Sequence, residues 1–331
     1  MSLLDEKVRI KNLAIVVGCF PVVVFICILI VSRNPELPDY SNYLMMYNTG
    51  ELRSDIEISY SAIVRILFLI PNGFYILLLI YAIIGFFLKY MFACMYILPN
   101  EREGTFILFA IAYALSFMFI WDFVQIRASA GISFFIFGVF SSGKFRKAIF
   151  LLLAILFHYS MIMPVGAFSV FYFIKKEKYR IVALPIVIIT PIILLLFSHY
   201  AVSYGKTTYN VEPKPIYGTI YSLMYLMLIV IFYFKAKIIY YRQDVLALYY
   251  CGITIMFISI LLNSGFPALS DRFVDIASFC LFTCLFFIKP CRWSQRLFLL
   301  LFIVFVSLMR FRVIWSVFDV PIIKEILPFI I

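Results

Sequence analysis

The stretch AIFLLLAILFHYSMIMPVGAFSVFYFI, residues 148–174, sets the path of everything that follows it. At ~1.5 Å of helix per residue it is too long for one ordinary crossing of a ~30 Å hydrocarbon layer and too short for two. Phe157-His158-Tyr159-Ser160 interrupts its middle and Pro164 follows. Charge separates the two paths. If the stretch enters and leaves on the cytoplasmic side as a pair of half-helices, inner segments hold 17 Lys/Arg and outer segments 10, with Lys89 inside a span. If it crosses once, every later loop changes side and the split becomes 13 against 14, which loses the cytoplasmic excess of Lys and Arg that orients membrane proteins. The sequence therefore predicts a re-entrant pair over 148–174, with the basic turns 144–147, 175–180, 235–242 and 289–296 on the inner side.

The rest of the chain agrees with a membrane setting. Of 331 residues, 65% are hydrophobic and 14% charged, a balance that no soluble surface accommodates. Apolar runs long enough to cross lie at 13–32, 74–97, 105–121, 128–141, 181–198, 217–234, 244–262, 273–288 and 297–316; lipid obliges each to be a helix. The expected fold is all-α: a single polytopic domain over 1–331 with about 9–11 transmembrane helices, one re-entrant pair and an outer loop carrying an interfacial helix. The first run leads into Asn34-Pro35-Glu36 without a small-residue cleavage pattern, so it reads as a retained span. The net charge of +11 would suggest nucleic acid in a soluble domain. Here the outer side totals −1 and the inner side carries the excess, so the charge is orientation and no nucleic-acid partner is expected. Seven cysteines (Cys19, Cys27, Cys94, Cys251, Cys280, Cys284, Cys291) fall in spans or beside a basic cluster and offer no extracellular disulfide framework.

The outer loop 33–73 is polar but patterned. Asp39, Tyr43 and Tyr47 recur at spacing four, which would stack them on one face of a short helix. After Thr49-Gly50 come Asp55, Glu57 and Tyr60, then the apolar run 62–70, too short to span and read as interfacial. A second outer loop, 198–216, carries His199, Tyr200, Tyr204 and Tyr209 with Lys206 and Lys214. Aromatic faces suit sugars, and tyrosine also gathers at any membrane interface.

Arginines near hydrocarbon stand out. Arg127 opens a helix after a short outer turn at 121–125, Arg272 opens another within Ser270-Asp271-Arg272-Phe273, and Arg310 and Arg312 interrupt the last apolar run. Such a guanidinium is costly unless it serves function or snorkels to headgroups. Its planar fork of donors suits a diphosphate better than an ammonium does. Arg127 and Arg272 are candidate diphosphate ligands, whereas Arg310 and Arg312 read as snorkelling. His158 would lie ~15 Å above the inner entry of its helix, at a break that survives only inside protein or against a wet cavity.

Other chemistries lack their motifs. There is no Gly-rich phosphate loop and no Gly-x-Ser-x-Gly, and neither histidine has metal-ligand spacing. Cys280 and Cys284 stand one helical turn apart without a His or acidic partner nearby, and read as small core residues. No metal and no cofactor is expected.

The order of features resembles the O-antigen polymerase (Wzy) and EpsG-like group of membrane polysaccharide polymerases. Asp39, Tyr43 and Tyr47 follow the first span as Asp-x3-Tyr-x3-Tyr, and Glu57 and Tyr60 follow as Glu-x-x-Tyr. Ile126-Arg127 heads a helix, and the basic turn 144–147 precedes Phe157-His158-Tyr159-Ser160 and a proline. The likeness covers roughly residues 35–165, with Arg272 as a later echo; Ala128 stands where the family often has Gln. Each motif is weak alone, and their order and membrane placement carry the resemblance.

The resemblance implies transfer of a glycan from polyprenyl (undecaprenyl) diphosphate to a lipid-linked acceptor repeat unit. The setting would be the outer face of a bacterial cytoplasmic (inner) membrane, in O-antigen or in exopolysaccharide and capsule synthesis. Arg127 and Arg272 would stabilise the leaving diphosphate, Tyr43, Tyr47 and Tyr60 would contact sugar, and Asp39, Glu57 or His158 would take the acceptor proton. Partners would be the lipid-linked oligosaccharides, membrane lipid and a chain-length regulator protein. Two other classes are weighed against this. A membrane O-acyltransferase should carry an Arg/His pair in its first span, which is apolar here between Ala14 and Ser32. A lipid-linked oligosaccharide transporter should show internal repeats or paired broken helices, and one interruption without a repeat is visible.

Overall fold

The structure, a computed structural model, describes residues 3–49, 57–99, 103–196, 212–238 and 241–317. Gly50, Asp55, Arg102, His199, Tyr200, Tyr204, Lys206 and Tyr209 lie outside the described residues. The fold is nearly all helical, and each of the nine apolar runs is helical over most of its described length. Among the described residues six helices are long and apolar enough to cross a membrane: Asn12–Val31, Gly73–Ile97, Gly104–Val124, Thr219–Lys237, Arg242–Leu262 and Trp293–Ile314. The Ile126–Phe140 helix is shorter, and Pro267–Leu285 carries Asp271, Arg272 and Asp275 in its first half. Among the described residues the only strand-like pairing is an isolated bridge between Ile238 and Ile288.

The chain divides into two compact units, 1–159 with 310–331, and 160–309. In the first, a hairpin of Ile126–Phe140 and Lys144–Phe157 packs beside Gly73–Ile97. A β-carbon at Gly138 would lie 2.7 Å from the Leu151 side chain and 3.1 Å from its backbone nitrogen, so glycine lets the two helices close on each other. Gly143 turns the hairpin at φ 108°, a conformation that disfavours other residues. In the second unit the helices Arg242–Leu262 and Pro267–Leu285 pair, flanked by Ile162–Phe173, Glu177–Leu196 and Thr219–Phe234. Cys251, Cys280 and Cys284 are buried within it, and the Cys284 thiol donates to the Val245 carbonyl at 3.6 Å.

Several local expectations change. The helix after the first span is Tyr40–Thr49, and Asp39 stands just outside it at φ 66° while its carbonyl accepts the Tyr43 N–H at 2.9 Å. Aspartate tolerates that left-handed conformation and the next residues do not, so Tyr40, Tyr43 and Tyr47 share the buried face and Asp39 does not. The interfacial helix runs Ile58–Leu67, earlier than the apolar run, because Glu57 takes the extended N-cap backbone. Residues 121–124 are not a turn but the end of an eleven-residue π-helix, Ala114–Val124, and Gln125 alone breaks the chain before Ile126–Phe140. Arg312 is exposed, but Arg310 does not snorkel: it is 2% exposed with its guanidinium 4.9 Å from the Phe117 ring.

The helix over 148–174 breaks where the sequence places the break. Lys144–Phe157 ends, His158 is extended at φ −157° and ψ 113°, a short 3-10 turn covers Tyr159–Met161, and Ile162–Phe173 resumes.

Candidate functional site

Three helix ends in the first unit meet. Glu57 sits at the N-cap of Ile58–Leu67, Arg127 is the second residue of Ile126–Phe140, and His158 is the C-cap of Lys144–Phe157. The chain arrives there for local reasons. Gln125 ends the π-helix and frees the next helix to start with Arg127 at its mouth. The hairpin returns 14 residues of Lys144–Phe157 alongside, which brings His158 back to the Arg127 end. Ser59 then donates its hydroxyl to the Leu156 carbonyl at 2.8 Å, satisfying one of the orphan acceptors of that helix end and fixing the Glu57 helix against it.

Glu57 joins the other two. Its Oε2 accepts a short bond from Arg127 Nη1, and its Oε1 lies 2.8 Å from His158 Nδ1. The residue is 4% exposed and His158 7%, while the Arg127 side chain keeps 20%. Burial alone would raise the Glu57 carboxyl, but the Arg127 charge and the His158 hydrogen bond outweigh it and bring it down to about 2. An ionised carboxylate only accepts, so His158 Nδ1 carries the hydrogen, and in the neutral imidazole Nε2 is then the ring atom with a lone pair.

The tyrosines wrap the arginine. The Arg127 guanidinium lies 5.3 Å from the Tyr43 ring centroid and 5.5 Å from that of Tyr60. Tyr60 donates to the Tyr43 carbonyl at 2.9 Å, and Tyr47 to the Leu67 carbonyl at 2.8 Å. All three rings are buried, and burial pushes the Tyr43 and Tyr60 phenols up, so both stay neutral donors. Tyr81, also buried, stands between Tyr60 and Phe157 at ring distances of 6.0 and 5.9 Å.

The sequence-derived set is thus split. Glu57, Arg127, His158, Tyr43 and Tyr60 come together, and Tyr47 packs one helical turn away against Phe68 and Phe74. Asp39 is half-buried at the head of its helix, with Asn42 3.5 Å from its carboxylate. Arg272 belongs to the second unit, next to the Lys214–Asp271 ion pair of 2.9 Å. Two features were not singled out from sequence. One is Arg33, buried beside Tyr40 and Tyr43. The other is a network of Lys89, Asp122, Ser129 and Tyr113 under the Arg127 helix. A lone Lys and a lone Asp inside apolar hairpins were its only signal. Among the described residues no group of three or more His, Cys, Asp or Glu stands close enough to hold a metal ion.

Comparison with known proteins adds one finding. No curated protein and no solved structure gives a match. The family model described as the EpsG family matches residues 17–330, well past the 35–165 region where the motifs lie. On that near-complete match and this helical membrane fold, the chain belongs to the EpsG family, a family of polysaccharide polymerases.

Proposed function

We propose that the chain is a repeat-unit polymerase that moves a glycan from a polyprenyl diphosphate onto a hydroxyl of a second lipid-linked repeat unit at the outer face of the membrane. The observation that carries this reading is one buried carboxylate, Glu57, holding a guanidinium on one oxygen and an imidazole on the other. In the reaction the acceptor oxygen bonds to the donor's anomeric carbon as the carbon–oxygen bond to diphosphate breaks, and the diphosphate leaves with the bonding electrons. His158 Nε2 takes the acceptor proton. Glu57 is a poor base in this setting, because its pairing holds it ionised; it fixes the imidazole tautomer and orientation instead. Arg127 faces the leaving group, where guanidinium groups supply the charge neutralisation that the reaction needs. Tyr43 and Tyr60 are assigned to holding the arginine, and Asp39 and Arg272 are assigned no step.

The outward orientation is supported by the hairpin itself. The basic residues Lys144, Arg146 and Lys147 occupy one end of the Lys144–Phe157 helix and His158 the other, so an inner position for the former places the latter toward the outer side. Re-entry of 148–174 belongs to the same proposal, and labelling of Lys178→Cys by an impermeant reagent outside intact cells would overturn it. The reaction itself is tested by incubating purified protein with a lipid-linked repeat unit. A ladder of multiples is expected, whereas acylated single units or simple translocation in vesicles would replace the reading with another class.

A further inference from the structure

Arg33 follows the first span and is 6% exposed. Its Nη1 donates to the Phe123 carbonyl at 2.8 Å, one of the acceptors left open where the Ala114–Val124 π-helix ends. Among the described residues its Nε and Nη2 have no hydrogen-bond partner. These two atoms form the side edge of the guanidinium, the fork that meets a carboxylate or phosphate with two parallel bonds. Among the described residues no carboxylate pairs with Arg33; Asp39 acts on it only at a distance. Capping the π-helix accounts for Nη1 and leaves the fork unexplained, since buried donors without acceptors are rare and costly.

The position of Arg33 links it to the proposed centre. Its guanidinium lies 5.5 Å from the Tyr40 ring centroid and 5.7 Å from that of Tyr43, and Tyr43 is also the ring that Arg127 approaches at 5.3 Å. Arg127 is partly neutralised by Glu57, and its own Nε is likewise without a hydrogen-bond partner. Two guanidiniums thus approach the one ring of Tyr43, with Glu57 paired to Arg127 and Asp39 acting on Arg33 only at a distance, and the open donor edges in this buried site call for an acceptor that two parallel bonds can reach.

We propose that Arg33 is a substrate-binding residue: its Nε/Nη2 fork grips a diphosphate, with Arg127 as the second arm of a clamp built around Tyr43. This rests on the polymerase reading for the identity of the lipid that carries the diphosphate, while the anion site rests on the geometry alone. The same fork would also accept the phosphate of a phospholipid headgroup, so the experiment separates the two sources.

Binding of polyprenyl diphosphate to the full-length protein in neutral detergent is measured for wild type, Arg33→Gln and Arg33→Lys, with phosphatidylglycerol as competitor and the repeat-unit ladder assayed in parallel. Arg33→Gln should weaken binding at least about tenfold, the scale of losing a charge-assisted bond pair. Arg33→Lys, which keeps charge and most of the packing, should weaken it less but measurably and so serves if the Gln variant does not fold. Wild-type affinity in both variants would overturn the proposal, as would competition by phosphatidylglycerol at equal concentration, which would make the site a headgroup site. A wild type that binds polyprenyl diphosphate through Arg33 yet forms no ladder would fail the polymerase reading and uphold the anion site.

Discussion

Among the described residues two buried ion pairs lie in the first unit, and they are built to opposite specifications. Lys89 gives its three hydrogens to Gly85 O at 3.1 Å, Asp122 Oδ1 at 2.9 Å and Ser129 Oγ at 2.7 Å. Asp122 takes the Tyr113 hydroxyl on its other oxygen at 2.5 Å and a further short bond from Ser129. The ammonium is thereby saturated, and both side chains are 2% exposed or less. The Arg127–Glu57 pair is left open by comparison. Arg127 retains 20% exposure and an unpartnered Nε, and neighbouring Arg33 keeps an unpartnered fork. A closed network in a membrane interior fastens helices, whereas an open one keeps donors for something that arrives. The closed network also serves the open one: Ser129 lies two residues beyond Arg127 on the same helix, so Lys89 anchors the helix mouth that presents the guanidinium.

Breaking the closed network should have the largest effect on stability. Lys89→Met removes the counter-charge of the buried Asp122 carboxylate, and should cost about 3–5 kcal/mol in thermal or denaturant unfolding in detergent. Adding Asp122→Leu should recover most of that loss, because a buried pair replaced as a whole is close to neutral. A single variant as stable as wild type would remove the distinction between the two pairs. At the open pair, Arg127→Lys retains the charge but loses the planar fork, and should lower polymer formation about ten- to a hundredfold while changing the melting temperature little. Full activity in that variant would reduce Arg127 to a point charge.

The smallest effect is a pH dependence. The folded-state carboxyl of Glu57 is depressed from 4.5 to about 2, so its stabilising contribution is fully present above the unfolded value and is lost as pH falls through the folded one. The stability gap between wild type and Glu57→Gln should therefore not narrow between about pH 8 and pH 5, and should narrow only in more acid solution. A gap already narrowing near pH 6 would mean that the carboxylate is not held by both partners.

The helices were legible because each apolar run of about twenty residues has one conformation available in lipid. The break at His158 was legible because polar residues interrupt such a run. Pairings were not, since they join residues far apart in sequence: Glu57 and His158 are separated by 101 positions and Glu57 and Arg127 by 70. Motif order named the three but left open which carboxylate matters; the structure brings Glu57 into contact with Arg127 and His158 and sets Asp39 at the head of its own helix. Arg33 was hidden by its position, because an arginine at the end of a span has an ordinary explanation in snorkelling. Its burial and open fork distinguish it, and both depend on the π-helix end that supplies the Phe123 carbonyl.

The proposal that the open cluster does chemistry comes to rest on the imidazole. The direct measurement is the rate of ladder formation by purified His158→Gln, alongside its melting temperature. Glutamine keeps a hydrogen bond to Glu57 but has no lone-pair nitrogen to take a proton. A fall of about a hundredfold or more with a near-native melting temperature is expected. Polymer made at the wild-type rate by the folded variant would contradict the assignment and leave His158 as a plug in a broken helix.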